Sequence, residues 1–217
     1  MEGWPTICVA LLTYRRTEVA LRTVRAMAEH CRYSGSLLYY IADDGSAEDH
    51  ILALQQLIGE LLVASHSQRT GPGPSWNRAV SRIAEVSPLS VWLEDDFELR
   101  RPLDLDPYVR LLLEREDVGM IRLGLLPVGL ECETVGHNGI HYLNILPSRQ
   151  YRWSGNPSLL HYRHFAAYGG FPTDQRSAGE CEVFHDHFVR TLPGPAVWWP
   201  VDLGGWGIFG HIGAEKA

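Results

Sequence analysis

The sequence predicts an α/β fold, a mostly parallel central sheet flanked by helices. Three observations carry that expectation. Over the first hundred residues, short apolar runs of strand length alternate with segments of helical period. The first run, 7–12, is apolar throughout, as in strands buried on both faces. The runs at 37–42 and 89–93 also stop abruptly on acids, at the strand ends where open α/β sheets bind ligands.

The first strand is Ile7-Cys8-Val9-Ala10-Leu11-Leu12, ending at the polar Thr13-Tyr14-Arg15-Arg16. Thr17 reads as an N-cap with Glu18 in the first turn, and Val19, Ala20, Val24, Met27 and Ala28 are spaced for one helix face. Leu37 to Ala42 forms a second strand running into Asp43-Asp44-Gly45-Ser46. A helix over Glu48 to Glu60 and a short strand over Leu61 to Ala64 follow, then a Gly/Pro loop from Gln68 to Pro74 and a helix from Ser75 to Ala84. Leu89-Ser90-Val91-Trp92-Leu93 is a fourth strand, ending in Glu94-Asp95-Asp96.

The second half is less periodic and dense in Gly, Pro, His, Tyr, Asn and Trp. Strands are expected over Val118 to Leu123, His141 to Leu146, Ser158 to Tyr162 and Val197 to Val201, and a helix over Gly179 to Thr191. A soft boundary near Leu105 divides a single domain, 1–217, into halves 1–105 and 106–217 that do not fold independently.

Composition narrows the chemistry. At 217 residues and 24.4 kDa the chain can bury a core without disulfides or structural metal. A net charge of −7 does not favour a broad grip on nucleic acid or anionic lipid. Lys216 is the only lysine, which excludes a Walker-type phosphate lysine or a Schiff base within the domain. Anion contacts therefore fall to arginine, backbone N–H groups or a metal. Cys8, Cys31, Cys132 and Cys181 have no C-x-x-C spacing and read as free thiols. No apolar stretch approaches the ~20 residues of a membrane span, and the N-terminus is not a signal peptide; a cytoplasmic location is expected.

The acidic strand ends are the informative motifs. A carboxylate after a strand, as at Asp43 and Asp44, can bind a heterocycle or a ribose, or simply cap a helix. Glu94-Asp95-Asp96 places three carboxylates together, and a divalent cation relieves their repulsion; Mg²⁺ and Mn²⁺ take one or two carboxylates plus diphosphate oxygens. The alternative is a solvated acidic turn near Arg100 and Arg101. Between them, Gln68-Arg69-Thr70-Gly71-Pro72-Gly73-Pro74-Ser75-Trp76-Asn77 offers close backbone approach, a helix N-terminus and an arginine to an anion.

The ordered set T-Y-R-R, D-D-G-S, R-T-G-P-G-P-S-W-N and L-E-D-D-F resembles the family-2-like inverting glycosyltransferases of Rossmann-like GT-A fold. The resemblance spans residues 6–102, and more loosely the stretch through Ser154-Gly155-Asn156 and Gly169-Gly170-Phe171-Pro172 to Glu180-Cys181-Glu182. It implies an enzyme of hexosyltransferase type that moves a sugar from a UDP-, GDP- or dTDP-sugar to a hydroxyl acceptor, with Mn²⁺ or Mg²⁺ as cofactor. The acceptor is a glycan, a natural product, a lipid-linked intermediate or a modified nucleobase. By that resemblance Thr13, Tyr14, Arg16, Asp43, Asp44, Arg69, Asn77 and Asp95 bind the nucleotide sugar. Asp96 ligates metal in the D-x-D position, with Glu94 in place of the first Asp, and the late His211 completes the metal site. Glu182 or Glu180 is the general base, Glu182 preferred; Cys181 stands where an Asp is expected. Two alternatives remain: a non-catalytic nucleotide-sugar or glycan binder on the same fold, and a nucleotidyltransferase.

Other constellations weigh less. His185-x-His187 and His137-x-x-x-His141 lack the full zinc pattern. One of Trp153, Trp198, Trp199 and Trp206 is expected to face the acceptor, and His161-Tyr162-Arg163-His164 to line its cleft.

Overall fold

The computed structural model describes residues 3–59, 61–63, 68–125, 131–147, 151–174, 177–204 and 207–213; Trp206 lies outside them. In chain order the elements are β1 (Ile7–Thr13), α1 (Thr17–His30), β2 (Cys31–Arg32), β3 (Leu37–Asp43), α2 (Glu48–Ile58), β4 (Leu61–Val63), α3 (Pro72–Ala84), β5 (Leu89–Glu94), β6 (Phe97–Leu99) and β7 (Leu103–Asp104). There follow α4 (Asp106–Glu114), β8 (Val118–Arg122), β9 (Cys132–His137), β10 (Ile140–Ile145), β11 (Ser158–His161), α5 (Arg163–Tyr168), α6 (Ala178–Thr191), β12 (Ala196–Pro200) and β13 (Phe209–His211), with a 3₁₀ turn at Val201–Leu203.

Nine strands form one sheet in the order β4-β3-β1-β5-β11-β8-β12-β10-β9. β4, β3, β1 and β5 are mutually parallel. β11 runs antiparallel to both its neighbours, β8 and β12 are parallel to each other, and β10 is antiparallel to β12 and β9. Only β11 and β10 therefore oppose the common direction. The chain moves outward from β1 to β3 and β4, then returns to β5 on the other side of β1. That reversal opens a crevice beyond the carboxyl ends of β1 and β5.

The apolar runs work as read. In β1, Ile7, Val9 and Leu11 enter a core with Ala20, Val24 and Met27 of α1, Leu54 of α2 and Leu111 and Leu112 of α4. Cys8, Ala10 and Leu12 enter a second core with Trp76, Ala79 and Ile83 of α3 and Phe165, Phe171 and Cys181. Alternate side chains of a strand face opposite sides, so a run covered on both faces has no polar position to spare. All four cysteines are free. Among the described residues no helix is long and apolar enough to cross a membrane.

Several local expectations need correction. Thr17 is the first residue of α1, not its cap: Arg16 precedes it without a side-chain cap, and the Thr17 hydroxyl bonds to His50 Nδ1 at 2.9 Å. Val19 is only partly buried and Ala28 is exposed, while Leu21 and Thr23 take the inner face. α3 begins at Pro72, because proline suits a first turn whose N–H has no partner. α4, with Pro107 in its first turn and Tyr108, Val109, Leu111 and Leu112 inward, carries helix signals that the sequence reading passed over. β9 has a mixed, largely exposed pattern and little to read.

Candidate active site

The loop after β1 is drawn tight against β5. Thr13 Oγ1 donates to Asp95 Oδ2 at 2.8 Å, and Tyr14 N–H reaches the same oxygen at 3.3 Å. Thr23 of α1 donates to the Asp95 carbonyl at 2.7 Å. His50, buried in α2, bonds Thr13 Oγ1 through Nε2 at 3.0 Å and Thr17 through Nδ1, and so braces both ends of the loop. Arg15 is held at φ +64° with its N–H on Ser46 Oγ, a strained left-handed position of the kind that gathers at functional sites. Sequence reading missed His50: it is a lone polar residue on a helix, and only the fold brings it to Thr13.

Arg16 lays its guanidinium across the acids, with Nη2 on Asp95 Oδ1 and Nη1 on Asp96 Oδ2 at 2.6 Å. Burial nevertheless pushes Asp95 up to about 6, against the pull of Arg16 and the Thr13 hydrogen bond. The other oxygen of Asp96, Oδ1, is buried without a hydrogen-bond partner among the described residues. β13 pairs with β6 so that His211 lies opposite Phe97, and Ile212 N–H bonds the Asp96 carbonyl at 2.8 Å. This brings His211 Nε2 to 3.2 Å from Asp96 Oδ2.

Asp43 and Asp44 part company. Asp43 accepts from Gly45 N–H and Ser46 N–H, each at 2.8 Å, and from the Ser46 hydroxyl, and is 1% exposed. It builds its own turn and does not line the cleft, contrary to the expectation that it meets a ligand. Asp44 accepts from Thr70 N–H and Gly71 N–H at 2.9 and 3.0 Å, tying the Gly/Pro loop to β3. Arg69, held there, is exposed and lies 4.8 Å over the Tyr14 ring.

Thr13, Tyr14, Arg16, Asp44, Arg69, Trp76, Glu94 and Asp95, with Ser177 and Ala178 at the start of α6, line one cleft of about 250 Å³. Asn77 does not. Its side-chain amide bonds both the N–H and the carbonyl of Phe171, so it fastens α3 to the second half of the chain, and the expected role in ligand binding is corrected accordingly.

Gly155 lies between Glu94 and Glu182; a Cβ there would collide with a carboxylate oxygen of each. Glu94 Oε1 is buried without a partner, and burial, then the charges of Glu182, Asp96 and Asp95, push the Glu94 carboxyl well up. Glu182 is also raised by burial, an effect opposed by the Gly155 N–H that donates to it and by Arg122. Glu180 has a different task. Its carboxylate accepts from Ser177 N–H and Oγ while Ser177 Oγ accepts from Glu180 N–H, a complete capping box at the start of α6. Cys181 is buried in the core against Gly73. Of the pair, Glu180 is exposed and bound into its cap, and Glu182 is the one that faces Gly155 and Glu94.

One further expectation, that 161–164 line the acceptor cleft, fails because β11 is antiparallel. His161 pairs with Leu89, at the start of β5, so the segment 161–164 lies at the edge of the sheet opposite Glu94. There Arg163 donates to the carbonyls of Arg115 and Leu112, and His164 packs in the core against His185, their Nε2 atoms 3.2 Å apart. The same reversal brings Ser154-Gly155-Asn156, which precede β11, to the ligand edge. Trp153, Trp198 and Trp199 are all buried, and Trp153 also borders a pocket beside Glu182.

No protein-family model matches the sequence, and no curated protein does. Solved structures do. The mannosyltransferase PcManGT from Pyrobaculum calidifontis, in complex with GDP-Man and Mn²⁺, superposes with a TM-score of 0.61 at 15% identity over 91% of this chain and 57% of its own. TarS 1-349 of S. aureus, in complex with UDP-GlcNAc, gives 0.62 at 12% over 90% and 58%. GalNAc-T7 with UDP, GalNAc and Mn²⁺ gives 0.64 at 11% over 92% and 43%. The chain thus spans between 43% and 58% of the length of these structures. The fold they share with it is the GT-A fold.

Proposed function

We propose that the chain is a nucleotide-sugar glycosyltransferase that transfers with inversion to a hydroxyl acceptor, residues 1–105 holding the donor and 106–217 the acceptor. One observation carries the reading: the Asp95–Asp96 tip and the Glu182 carboxylate meet at the same end of the sheet, with Glu94 and Gly155 between them. The GT-A fold, with solved relatives holding GDP-Man, UDP-GlcNAc, UDP and Mn²⁺, supports it.

Thr13, Tyr14, Asp44 and Arg69 line the cleft that takes the nucleotide, Arg69 and the Tyr14 ring offering charge and an aromatic face. Arg16, next to the acids, is placed for the diphosphate. Glu182 takes the proton of the acceptor hydroxyl as its oxygen bonds to the anomeric carbon; the bond from that carbon to the diphosphate breaks, and the electron pair leaves with the nucleotide.

The donor set suits a divalent ion. Asp96 Oδ1 is a buried acceptor without a partner, and His211 is adjacent. Among the described residues no group of three or more His, Cys, Asp or Glu converges to hold an ion. Asp96 and His211 would therefore hold Mn²⁺ or Mg²⁺ together with donor oxygens and water. When bound, such an ion supplies Lewis-acid stabilisation of the departing diphosphate.

The test is donor turnover and nucleotide binding with Mn²⁺ or Mg²⁺. UDP, GDP and dTDP are screened by thermal shift, which reports ligation by mass action, and the sugar donor of whichever binds is assayed in wild type and Asp96→Ala. Loss of metal-dependent turnover by about 100-fold or more in a folded variant is expected. Full turnover in that variant overturns the site. Nucleotide binding without turnover on any acceptor favours a non-catalytic binder.

A further inference from the structure

Tyr151 lies outside the cleft and has no part in the chemistry above. It is one of three non-glycine residues with positive φ among the described residues, at +59°, where its Cβ crowds the backbone. Two charged side chains hold it there. Its N–H donates to Asp186 Oδ2 at 3.1 Å, and its carbonyl accepts from Arg122 Nη1. The remaining oxygen of Asp186 takes Trp153 N–H at 2.9 Å. Arg122 is fully buried, and its Nη2 also binds Ser154 Oγ and the Leu125 carbonyl. The clamp turns the Tyr151 ring outward: the residue is 56% exposed.

The ring overlooks a pocket of about 180 Å³ bounded by Trp153, Glu182, Val183, Asp186 and Arg190. Glu182 and Asp186 are one helical turn apart, so the residue that locks Tyr151 stands directly behind the proposed base. Val183, 68% exposed, extends the apolar wall. Single exposed apolar residues need no explanation; a strained aromatic one, fixed by two buried charges beside a carboxylate of raised pKa, does.

We propose that Tyr151 is the stacking platform of the acceptor subsite, and that the acceptor is a neutral pyranoside lying with its C–H face on this ring while a hydroxyl reaches Glu182. The proposal rests on the transferase reading. Charge argues for neutrality: the charged groups bounding the pocket are Glu182, Asp186 and Arg190, two carboxylates to one guanidinium, and Arg190 Nε lies 3.1 Å from Asp186 Oδ2. A phosphorylated acceptor would meet a net negative wall. One aromatic face beside a carboxylate suits a molecule with an apolar face and several hydroxyl donors.

The experiment uses the full chain without donor. Methyl gluco-, galacto- and mannopyranosides and glucose 1-phosphate are titrated against wild type, Tyr151→Phe and Tyr151→Asn, with UDP plus Mn²⁺ titrated in parallel. Asparagine tolerates the left-handed conformation, so Tyr151→Asn removes the ring without adding backbone strain, and thermal unfolding checks the fold. At least one methyl pyranoside is expected to bind wild type and Tyr151→Phe alike, and Tyr151→Asn about tenfold more weakly. Glucose 1-phosphate is expected to bind more weakly than that pyranoside, and UDP to bind all three proteins equally. The proposal is overturned if no pyranoside binds, if Tyr151→Asn binds it like wild type, or if the phosphate binds as well. Absence of UDP binding in every protein would instead sink the transferase reading, since the pyranoside titration needs no donor.

Discussion

The ends of β3 and β5 look alike in sequence, each an apolar strand stopping on acids, yet they do opposite work. At β3, Asp43 spends both oxygens on its own turn, and Asp44 on the N–H groups of Thr70 and Gly71. At β5, Glu94 Oε1 and Asp96 Oδ1 are buried and left without partners. Buried acceptors normally find donors, so the unsatisfied tip is the one the proposal gives to a ligand, while the satisfied one holds its own turn and loop with Asp44 still on the cleft wall. Glu180 and Glu182, two residues apart on α6, repeat the contrast: one closes a capping box, and the other faces Gly155 and the pocket.

The largest effect should come from Glu182. A general base contributes roughly 10²–10⁴-fold, so Glu182→Gln should lower kcat by that order with little change in thermal stability. The pH profile supplies the sign. The base acts ionised, and burial raises its pKa, so kcat/KM should fall on acidification through a limb above the ordinary carboxylate range. Glu182→Gln should remove that limb. A variant that keeps both rate and limb would break the distinction between Glu182 and Glu180.

How much of this could be read beforehand follows the same line. β1, β3 and β5 were legible because strands covered on both faces are apolar at nearly every interior position, Ser90 of β5 being an exception, and acids at the ends of β3 and β5 stand out. What those acids do was not legible, because it depends on which donors the fold brings near. His50 meets Thr13 across 37 residues, and His211 reaches Asp96 only through the β6–β13 pairing. Strand direction was hidden too: nothing in Ser158–His161 says that β11 runs antiparallel, and that alone carries 161–164 away from the ligand edge. The Tyr151 clamp joins a backbone to Asp186 across 35 residues, with no local motif to mark it.

Asp43→Ala tests the scaffold side of the contrast. It leaves three donors of the β3 turn without their acceptor, and unsatisfied buried groups cost about 1–3 kcal/mol each before water relieves some of them. A loss of roughly 2–3 kcal/mol is expected, which for a chain of this size lowers Tm by about 4–12 °C. Nucleotide affinity, measured below the new Tm, should change less than in Asp96→Ala. A stable Asp43→Ala protein that has lost nucleotide binding would move Asp43 to the ligand side.

Arg16 links the two kinds of tip, since its ion pairs partly satisfy the β5 acids. If Asp96 is a metal ligand, Arg16 competes for it. Arg16→Gln should therefore bind Mn²⁺ more tightly in the absence of nucleotide, by about tenfold if the competition is worth 1.4 kcal/mol, as read by Mn²⁺ paramagnetic resonance titration. Unchanged or weaker Mn²⁺ binding would mean that Arg16 aligns the carboxylates without competing for them.

The smallest effect should come from Glu180→Ala. The substitution leaves Ser177 N–H and the Ser177 hydroxyl to solvent while the N–H of residue 180 keeps Ser177 Oγ, and caps of this kind are worth about 1 kcal/mol. The residue is exposed, so water can replace its hydrogen bonds and hold the loss near that figure. Tm should fall by about 2–4 °C while kcat, KM for donor and the acid limb of the pH profile stay as in wild type. α6 also carries Glu182 and Asp186, so a frayed first turn could in principle reach the base; the burial of Cys181 against Gly73 anchors the helix just beyond that turn and should stop the fraying there. A large fall in kcat with Tm preserved would place the proton transfer on Glu180 and reverse the assignment of the two glutamates.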